Sequence, residues 1–273
     1  MFGAARANGI EKVDLTLNPS VAVGYKSPAQ KARVITESWA TANLYCPACT
    51  SDRLGPLRPN AKVIDYLCSN CTARYQLKST AGSFGGSVIN SSYAAKMEAI
   101  QSGRVPHYAF LRYSSQRWVV TDLFIVPGYF FTPAVIEERP PLRPTARRAG
   151  WIGSNILLRA LLPDARISVV RGGQALPAED VRKAWNQFSF FGTVEEAKGG
   201  WGADTLMCVR EMQRATEINE FTLQDFYRAF ESRLGALHPE NRNVQAKILQ
   251  QLQVLRDNKV LRFLSGGRYR VLR

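Results

Sequence analysis

The chain has 273 residues, of which 45% are hydrophobic and 21% charged, enough apolar material for one large domain or two modest ones and too much for general disorder. No apolar run reaches the ~20 residues that span a bilayer, and residues 1–15, MFGAARANGIEKVDL, lack the apolar centre of a secretory signal, so a cytoplasmic protein with no membrane partner is expected. The formal net charge of +14 says little about fold but points to an anionic partner, with nucleic acid first.

Residues 1–24 carry little pattern and read as a loose N-terminal arm. KSPAQKARVITESWATANLY (26–45) reads as a helix, with Ser27 and Pro28 as N-cap and first helical residue and with Val34, Trp39 and Leu44 as an apolar stripe. Next come CPAC (Cys46, Cys49) and CSNC (Cys68, Cys71), a C-x2-C-x18-C-x2-C pattern. Two-residue spacers let a tight turn aim both sulfurs at one ion, so this spacing predicts a four-thiolate structural zinc site with no open coordination position. The remaining cysteine, Cys208, reads as a small buried hydrophobe in a helix.

The second cysteine pair stands between Asp65 and the strand RYQLK (74–78). Side chains alternate on a strand, so Gln76 and Lys78 face one side while Tyr75 and Leu77 face the other. An acid, a gap and then (D/E)-x-K is the layout of metal-dependent phosphodiester hydrolysis. Asp65, Gln76 and the backbone carbonyl of Leu77 would hold Mg²⁺, which takes oxygen ligands, and Lys78 would position water or stabilise charge. The zinc clamp would then fix Asp65 relative to Gln76 and Lys78. As a motif it is short, and Asp65 and Lys78 can also be read as a turn acid and a surface cation.

Further on, 83–103 reads as loop followed by a second helix, and 107–113, 117–127 and 165–171 read as strands rich in β-branched and aromatic residues. ERPPLRPTARRAGWIGSN (138–155) reads as a long functional loop. Residues 139–171 hold seven arginines against one acid, a net of +6, and residues 221–273 hold ten Lys/Arg against four acids, also +6. Two separated basic regions suggest two nucleic-acid-contacting surfaces. Past a composition shift near 198–200, WGADTLMCVREMQ, 221–234 and 243–257 read as three helices, the second capped by Thr222, and VLRFL-SGG-RYRVL reads as a hairpin. Three helices and a basic hairpin outline a winged helix. In its third helix Val244, Ile248, Leu252 and Leu255 form the core face, while Asn243, Lys247 and Gln250 form a face able to read base edges; Arg268 and Arg270 on the hairpin would meet phosphate. A plain solvated face is the alternative for each of these residues.

The stretches YKSPAQKARVITESW, CPAC, DYLCSNC, QLK, PTARRAGWIGSNI, EFTLQDFYRAFES and QQLQVLRDNKVLRF, in this order, resemble the DpnI-like restriction endonucleases that cut adenine-methylated DNA. The resemblance runs from Tyr25 to the C-terminus. It implies an α/β PD-(D/E)xK nuclease core with an inserted four-cysteine zinc knuckle over residues 25–195, and a winged-helix domain over 196–273. It also implies Mg²⁺-dependent cleavage of double-stranded GATC carrying N6-methyladenine, with both domains recognising the methylated site. A monomer in solution, with one active site, is expected.

The chain departs from that pattern at Gln76, where the family carries Glu. An amide oxygen can still ligate Mg²⁺, but one negative charge is lost beside a divalent ion. Glu37 can be read as a supplementary carboxylate or as a solvated helix acid. In ARRAGWIG, Arg147 and Arg148 would contact phosphate or guanine, and Trp151 can be read as an apolar detector for a methyl group or as buried core. The competing function is a zinc-containing reader of methylated adenine that no longer cuts. An HNH-type nuclease needs a histidine base near the cysteines, whereas His107 and His238, the chain's two histidines, both lie far from them in sequence.

Overall fold

A computed structural model describes residues 13–57, 64–216 and 219–272. In chain order its main elements are α1 (Pro28–Asn43), β1 (Gly55–Pro56), β2 (Tyr66–Leu67), β3 (Arg74–Thr80), β4 (Val88–Ser92), α2 (Tyr93–Gln101), β5 (His107–Ser114), β6 (Val119–Val126), β7 (Ile136–Glu138), β8 (Gly153–Ile156), β9 (Ile167–Arg171), β10 (Gln174–Ala175), α3 (Ala178–Asn186), α4 (Trp201–Thr216), β11 (Glu220–Thr222), α5 (Leu223–Leu237), α6 (Val244–Asp257), β12 (Leu261–Phe263) and β13 (Arg268–Val271). By packing they fall into two units. The first joins the chain up to Phe84 with Pro106–Val126 and Arg166–Gln187; the second joins Gly85–Val105, Pro127–Ala165 and Phe188–Arg273.

The first unit is built on a seven-stranded sheet in the order β1-β2-β3-β5-β6-β9-β10. β3 and β5 run parallel, pairing Gln76 with Tyr108 and Lys78 with Phe110, while the other neighbours are antiparallel. A parallel pair needs a long crossover, and here the crossover carries β4 and α2. β5 places apolar and aromatic residues on both faces, and Tyr108, Ala109, Phe110 and Leu111 are all buried, as expected of a central strand. α1 lies on the sheet through Ile35, Trp39 and Ala40, and Thr36 Oγ1 meets Ser79 Oγ of β3 at 3.0 Å. α3 closes the same core with Val181 and Trp185. Ser27 and Pro28 occupy the expected positions at the start of α1, but Ser27 makes no side-chain capping bond.

Residues 13–24, expected to be loose, are tied to this unit, whereas residues 1–12 lie outside the described residues. Leu17 and Ala22 are buried, the Leu17 N–H donates to the Trp118 carbonyl at 2.7 Å, and the Trp39 indole donates to the Asp14 carbonyl at 2.7 Å. Val13, Leu15 and Leu17 alternate with the exposed Asp14 and Thr16, a period-2 pattern too short to mark a strand by itself until Thr16 bridges Val119.

The second unit contains a small sheet in the order β4-β8-β7 beside α2, and the C-terminal segment. The segment 83–103 thus holds a strand ahead of its helix, and the stretch 138–155 has strand at both ends. These strands are short, and Gly, Ser and Asn dilute the alternation of β4 and β8, which hides them in the sequence. In the C-terminal segment α4, α5 and α6 pack through Leu206, Val209, Phe226, Phe230, Leu234, Ile248, Leu252 and Leu255. Against them lies a sheet in the order β11-β13-β12. β11 precedes α5, so the second helix begins at Leu223 rather than 221. Inside the segment Asp204 is fully buried and meets His238 Nε2 at 2.9 Å, with Trp201 stacked on the imidazole. Cys208 is buried, as expected. Among the described residues no helix is long and apolar enough to cross a membrane.

Thr222 caps α5 as read from sequence: Oγ1 accepts the Asp225 N–H at 3.1 Å and donates to Asp225 Oδ2 at 2.6 Å. Thr222→Ala removes both bonds and is expected to lower stability by about 1 kcal/mol, measurable as a fall in the urea midpoint at unchanged slope. An unchanged midpoint would show that the cap contributes nothing.

Candidate functional site

Asp65 immediately precedes β2, on a turn that brings it alongside β3. Its N–H donates to the Tyr75 carbonyl at 2.9 Å, and its Oδ2 accepts the Leu77 N–H at 2.8 Å. Residues separated by ten and twelve positions are thereby locked together, with Gln76 and Lys78 on the same strand. Asp65 and Lys78 lie close enough to act on each other's charge, so the acid and the lysine of the motif are near one another. Burial pushes the Asp65 carboxyl above its usual range; the Leu77 N–H and the Lys78 and Arg33 charges oppose this, while Glu37 adds to it. Burial pushes the Lys78 ammonium down, opposed by Asp65. Glu37 accepts from Arg33 Nε at 2.7 Å and stands close enough to act on Asp65, so α1 also contributes charge to this site.

Gln76 Oε1 is shielded from solvent and has no hydrogen-bond partner among the described residues. Leaving a buried acceptor unpaired costs on the order of 1–3 kcal/mol. With the Asp65 carboxylate and the Leu77 carbonyl, it makes a set of oxygen donors suited to a hard divalent cation. The residues present therefore fit Mg²⁺, with one formal charge fewer than two carboxylates would supply.

The four cysteines converge as their spacing predicts. All four Sγ atoms lie within 4.8 Å of one another, with Cys46–Cys71 at 3.6 Å and Cys49–Cys68 at 3.5 Å. Zinc–sulfur bonds of about 2.3 Å in a tetrahedron place sulfurs roughly 3.8 Å apart, so the quartet could hold zinc. Two tight turns present the sulfurs; in the second, the Thr72 N–H returns to the Cys68 carbonyl at 3.0 Å and Thr72 adopts φ +58°. Burial pushes the Cys46 thiol up. At Cys68 burial is outweighed by the N–H groups of Cys71 and Asn70, which bring it down to about 6. Around the knuckle, Tyr75 Oη lies 3.1 Å from Cys46 Sγ, and Arg182 Nε donates to the Cys49 carbonyl at 2.8 Å. The sequence singles out neither residue as functional. Strand alternation places Tyr75 only on the face opposite Gln76, and nothing in the local pattern of α3 marks Arg182.

In the second unit the Arg-rich loop is folded back on itself. The Leu142 N–H donates to the Trp151 carbonyl and the Gly150 N–H to the Leu142 carbonyl, both at 3.0 Å, and Gly150 takes φ +75°, which favours glycine. Arg147 and Arg148 are exposed, while Trp151 is half-buried. The Trp151 ring lies against Gly153, where an added Cβ would come within 2.8 Å of it, and the Arg148 guanidinium covers it at 4.6 Å. Trp151 is thus neither a core residue nor a bare platform: its ring is held by glycine and cation on the surface.

On α6, Ile248, Leu252 and Leu255 are buried as expected. Asn243 is the exposed N-cap residue, and Lys247 and Gln250 are half-buried and joined at 2.9 Å. Gln245, Gln253 and Arg256, which the sequence pattern does not single out, are more exposed on the same helix. On the hairpin Arg268 is exposed, while Arg270 is held by Glu220 at 2.6 Å.

Comparison with known families bears on the whole of this arrangement. The model of the DpnI, Dam-replacing, family matches residues 13–194, and that of the Dam-replacing helix-turn-helix domain matches residues 197–271. The first match alone covers well over half of the chain and includes Asp65, β3 and all four clustered cysteines. This chain belongs to the DpnI (Dam-replacing) family and carries that family's C-terminal helix-turn-helix domain.

Proposed function

We propose that the protein is a Mg²⁺-dependent endonuclease that hydrolyses double-stranded DNA at adenine-methylated sites, with GATC carrying N6-methyladenine as the expected sequence. The observation that carries this reading is the docking of Asp65 against β3, which gathers the carboxylate, Gln76, Leu77 and Lys78 in a chain of the Dam-replacing family. Mg²⁺ bound there would polarise the scissile phosphoryl group and acidify a water. Asp65 supplies the ionised ligand and is held in place by two backbone bonds. Gln76 Oε1 supplies a neutral ligand that is otherwise unpaired. Lys78, kept near Asp65, donates to the attacking water or to the developing charge. Zinc on Cys46, Cys49, Cys68 and Cys71 plays a structural part, because four thiolates leave no place for substrate.

Residues 25–195 form the nuclease part of this proposal and 196–273 the winged-helix part, with a monomer acting in the cytoplasm. Arg147 and Arg148 contact the duplex, Trp151 detects the adenine methyl, Asn243, Lys247 and Gln250 face the groove, and Arg268 and Arg270 meet phosphate. The net charge of +14 favours association with the polyanion. A second reading, a reader of methylated adenine that no longer cuts, is favoured by one observation: the neutral Gln76 in the metal set.

Two matched plasmids, one fully adenine-methylated at GATC and one unmethylated, separate these readings. Cutting of the methylated plasmid alone, lost with EDTA and in Asp65→Asn, is the expected result. Methyl-selective binding in a gel shift without cutting would leave the reader. Asp65→Asn carries a second expectation. A carboxyl whose folded pKa lies above its unfolded value costs stability once ionised at neutral pH, and that cost vanishes as pH falls. The Mg²⁺-free variant should therefore melt higher than wild type, by roughly 2–4 °C for each kcal/mol relieved; a lower melting temperature would contradict the burial argument.

Gln76→Glu restores the second charge, so the Mg²⁺ concentration for half-maximal cutting should fall several-fold; no change, or a rise, would sink this account of Gln76. Trp151→Ala should reduce preference for methylated over unmethylated duplex more than it reduces affinity for either. Equal losses on both duplexes would reassign the ring to loop stability.

A further inference from the structure

We infer that Tyr75 couples the zinc knuckle to the proposed active-site strand, acting as a positioning residue for both. The inference rests on the structural-zinc reading above and goes beyond it by naming the link. Tyr75 is fully buried and points away from the face that carries Gln76 and Lys78. Its phenol oxygen lies 3.1 Å from Cys46 Sγ. A zinc-bound thiolate has no proton, so the phenol O–H must donate to sulfur. Such outer bonds fix a ligand's orientation and soften its charge. On the same residue, the backbone carbonyl accepts the Asp65 N–H at 2.9 Å. One side chain and one carbonyl thus connect a cysteine of the first knuckle turn, the strand of Gln76 and Lys78, and the acid that faces them.

Neighbours restrict the ring. His107 sits directly across the β3–β5 pairing from Tyr75, with ring centroids 5.1 Å apart, and Trp185 packs edge-on behind His107 at 4.7 Å. A phenol so enclosed cannot swing to another acceptor without moving β3. The first knuckle turn is held by a different device. Arg182 of α3 donates from Nε to the Cys49 carbonyl at 2.8 Å and from Nη2 to the Ser51 carbonyl at 3.4 Å, with its guanidinium 5.5 Å over the Tyr45 ring. Arg182 therefore acts on the backbone of that turn, whereas Tyr75 acts on a sulfur. The two contributions are separable by experiment.

The test uses the full chain, loaded with zinc or with cobalt(II) in its place, as wild type, Tyr75→Phe and Arg182→Ala. Tyr75→Phe removes one oxygen and keeps the ring. In competition with a chelator it should lose zinc affinity by about 10–100-fold and shift the cobalt–thiolate charge-transfer band. Arg182→Ala should weaken metal binding without moving that band. In the zinc-loaded state, amide exchange over residues 64–78 should be faster in Tyr75→Phe than in wild type. Wild-type competition and an unmoved band in Tyr75→Phe would overturn the bond to sulfur. An equal band shift in both variants would overturn its assignment to Tyr75. Unchanged exchange over 64–78 would overturn the link to the strand. A wild-type chain that takes up neither metal would overturn the zinc reading itself, and that failure is recognisable because it precedes any substitution.

Discussion

The pairing of Asp65 with β3 is the constraint on which the candidate site depends. A carboxylate on a loop is mobile, and a carboxylate that must share a cation with a strand several residues away cannot be. Here the backbone of Tyr75 and Leu77 holds Asp65 from both sides, through its N–H and through one carboxylate oxygen. The arrangement is costly in isolation: the Asp65 carboxyl and the Lys78 ammonium are half-buried, and Gln76 presents an oxygen with no partner among the described residues. Charges and acceptors held in such a state are characteristic of sites prepared for a ligand that is itself charged. A divalent cation there would pair with the oxygens and favour the ionised form of the acid that burial disfavours.

Zinc on the four clustered cysteines would serve the same constraint. The chain between Asp65 and β3 contains Cys68 and Cys71, and the first cysteine pair follows the end of α1. Four thiolates on one ion would tie the end of α1 to the loop that carries the acid, and α1 is already fixed to β3 by Thr36 and Ser79. Positioning of catalytic groups tolerates errors of only about 0.5 Å.

The basic regions belong to a different kind of physics. Arginines in the loop 138–155 and on the hairpin act at a range set by screening, ~8 Å at physiological salt, and they need only face the polyanion. Selectivity needs close contact. The Trp151 ring, held against Gly153, offers apolar surface with the Arg148 guanidinium above it, the kind of close contact that the proposed methyl recognition would need. Arg270 differs from its neighbour Arg268 because Glu220 already satisfies much of its guanidinium.

Much of the fold and site was legible from sequence because it rests on short-range rules. The cysteine spacing, the Thr222 cap, the apolar face of α6 and the strand of Gln76 and Lys78 follow from turn geometry, capping chemistry and periodicity, each contained within a few residues. The tertiary structure decided what depends on partners distant in the chain. It placed residues 13–24 against the sheet, formed β4, β8 and β11 from segments with diluted alternation, and grouped the small sheet with the C-terminal segment. It also brought Tyr75 to Cys46 and Arg182 to Cys49, contacts across 29 and 133 positions that no local pattern encodes. Sequence alone determined which chemistry the chain can assemble, since residue type and near spacing fix donors, charges and turns. Only the folded chain decided which of those groups meet, because hydrogen bonds act over about 3 Å and that proximity is set by packing rather than by order.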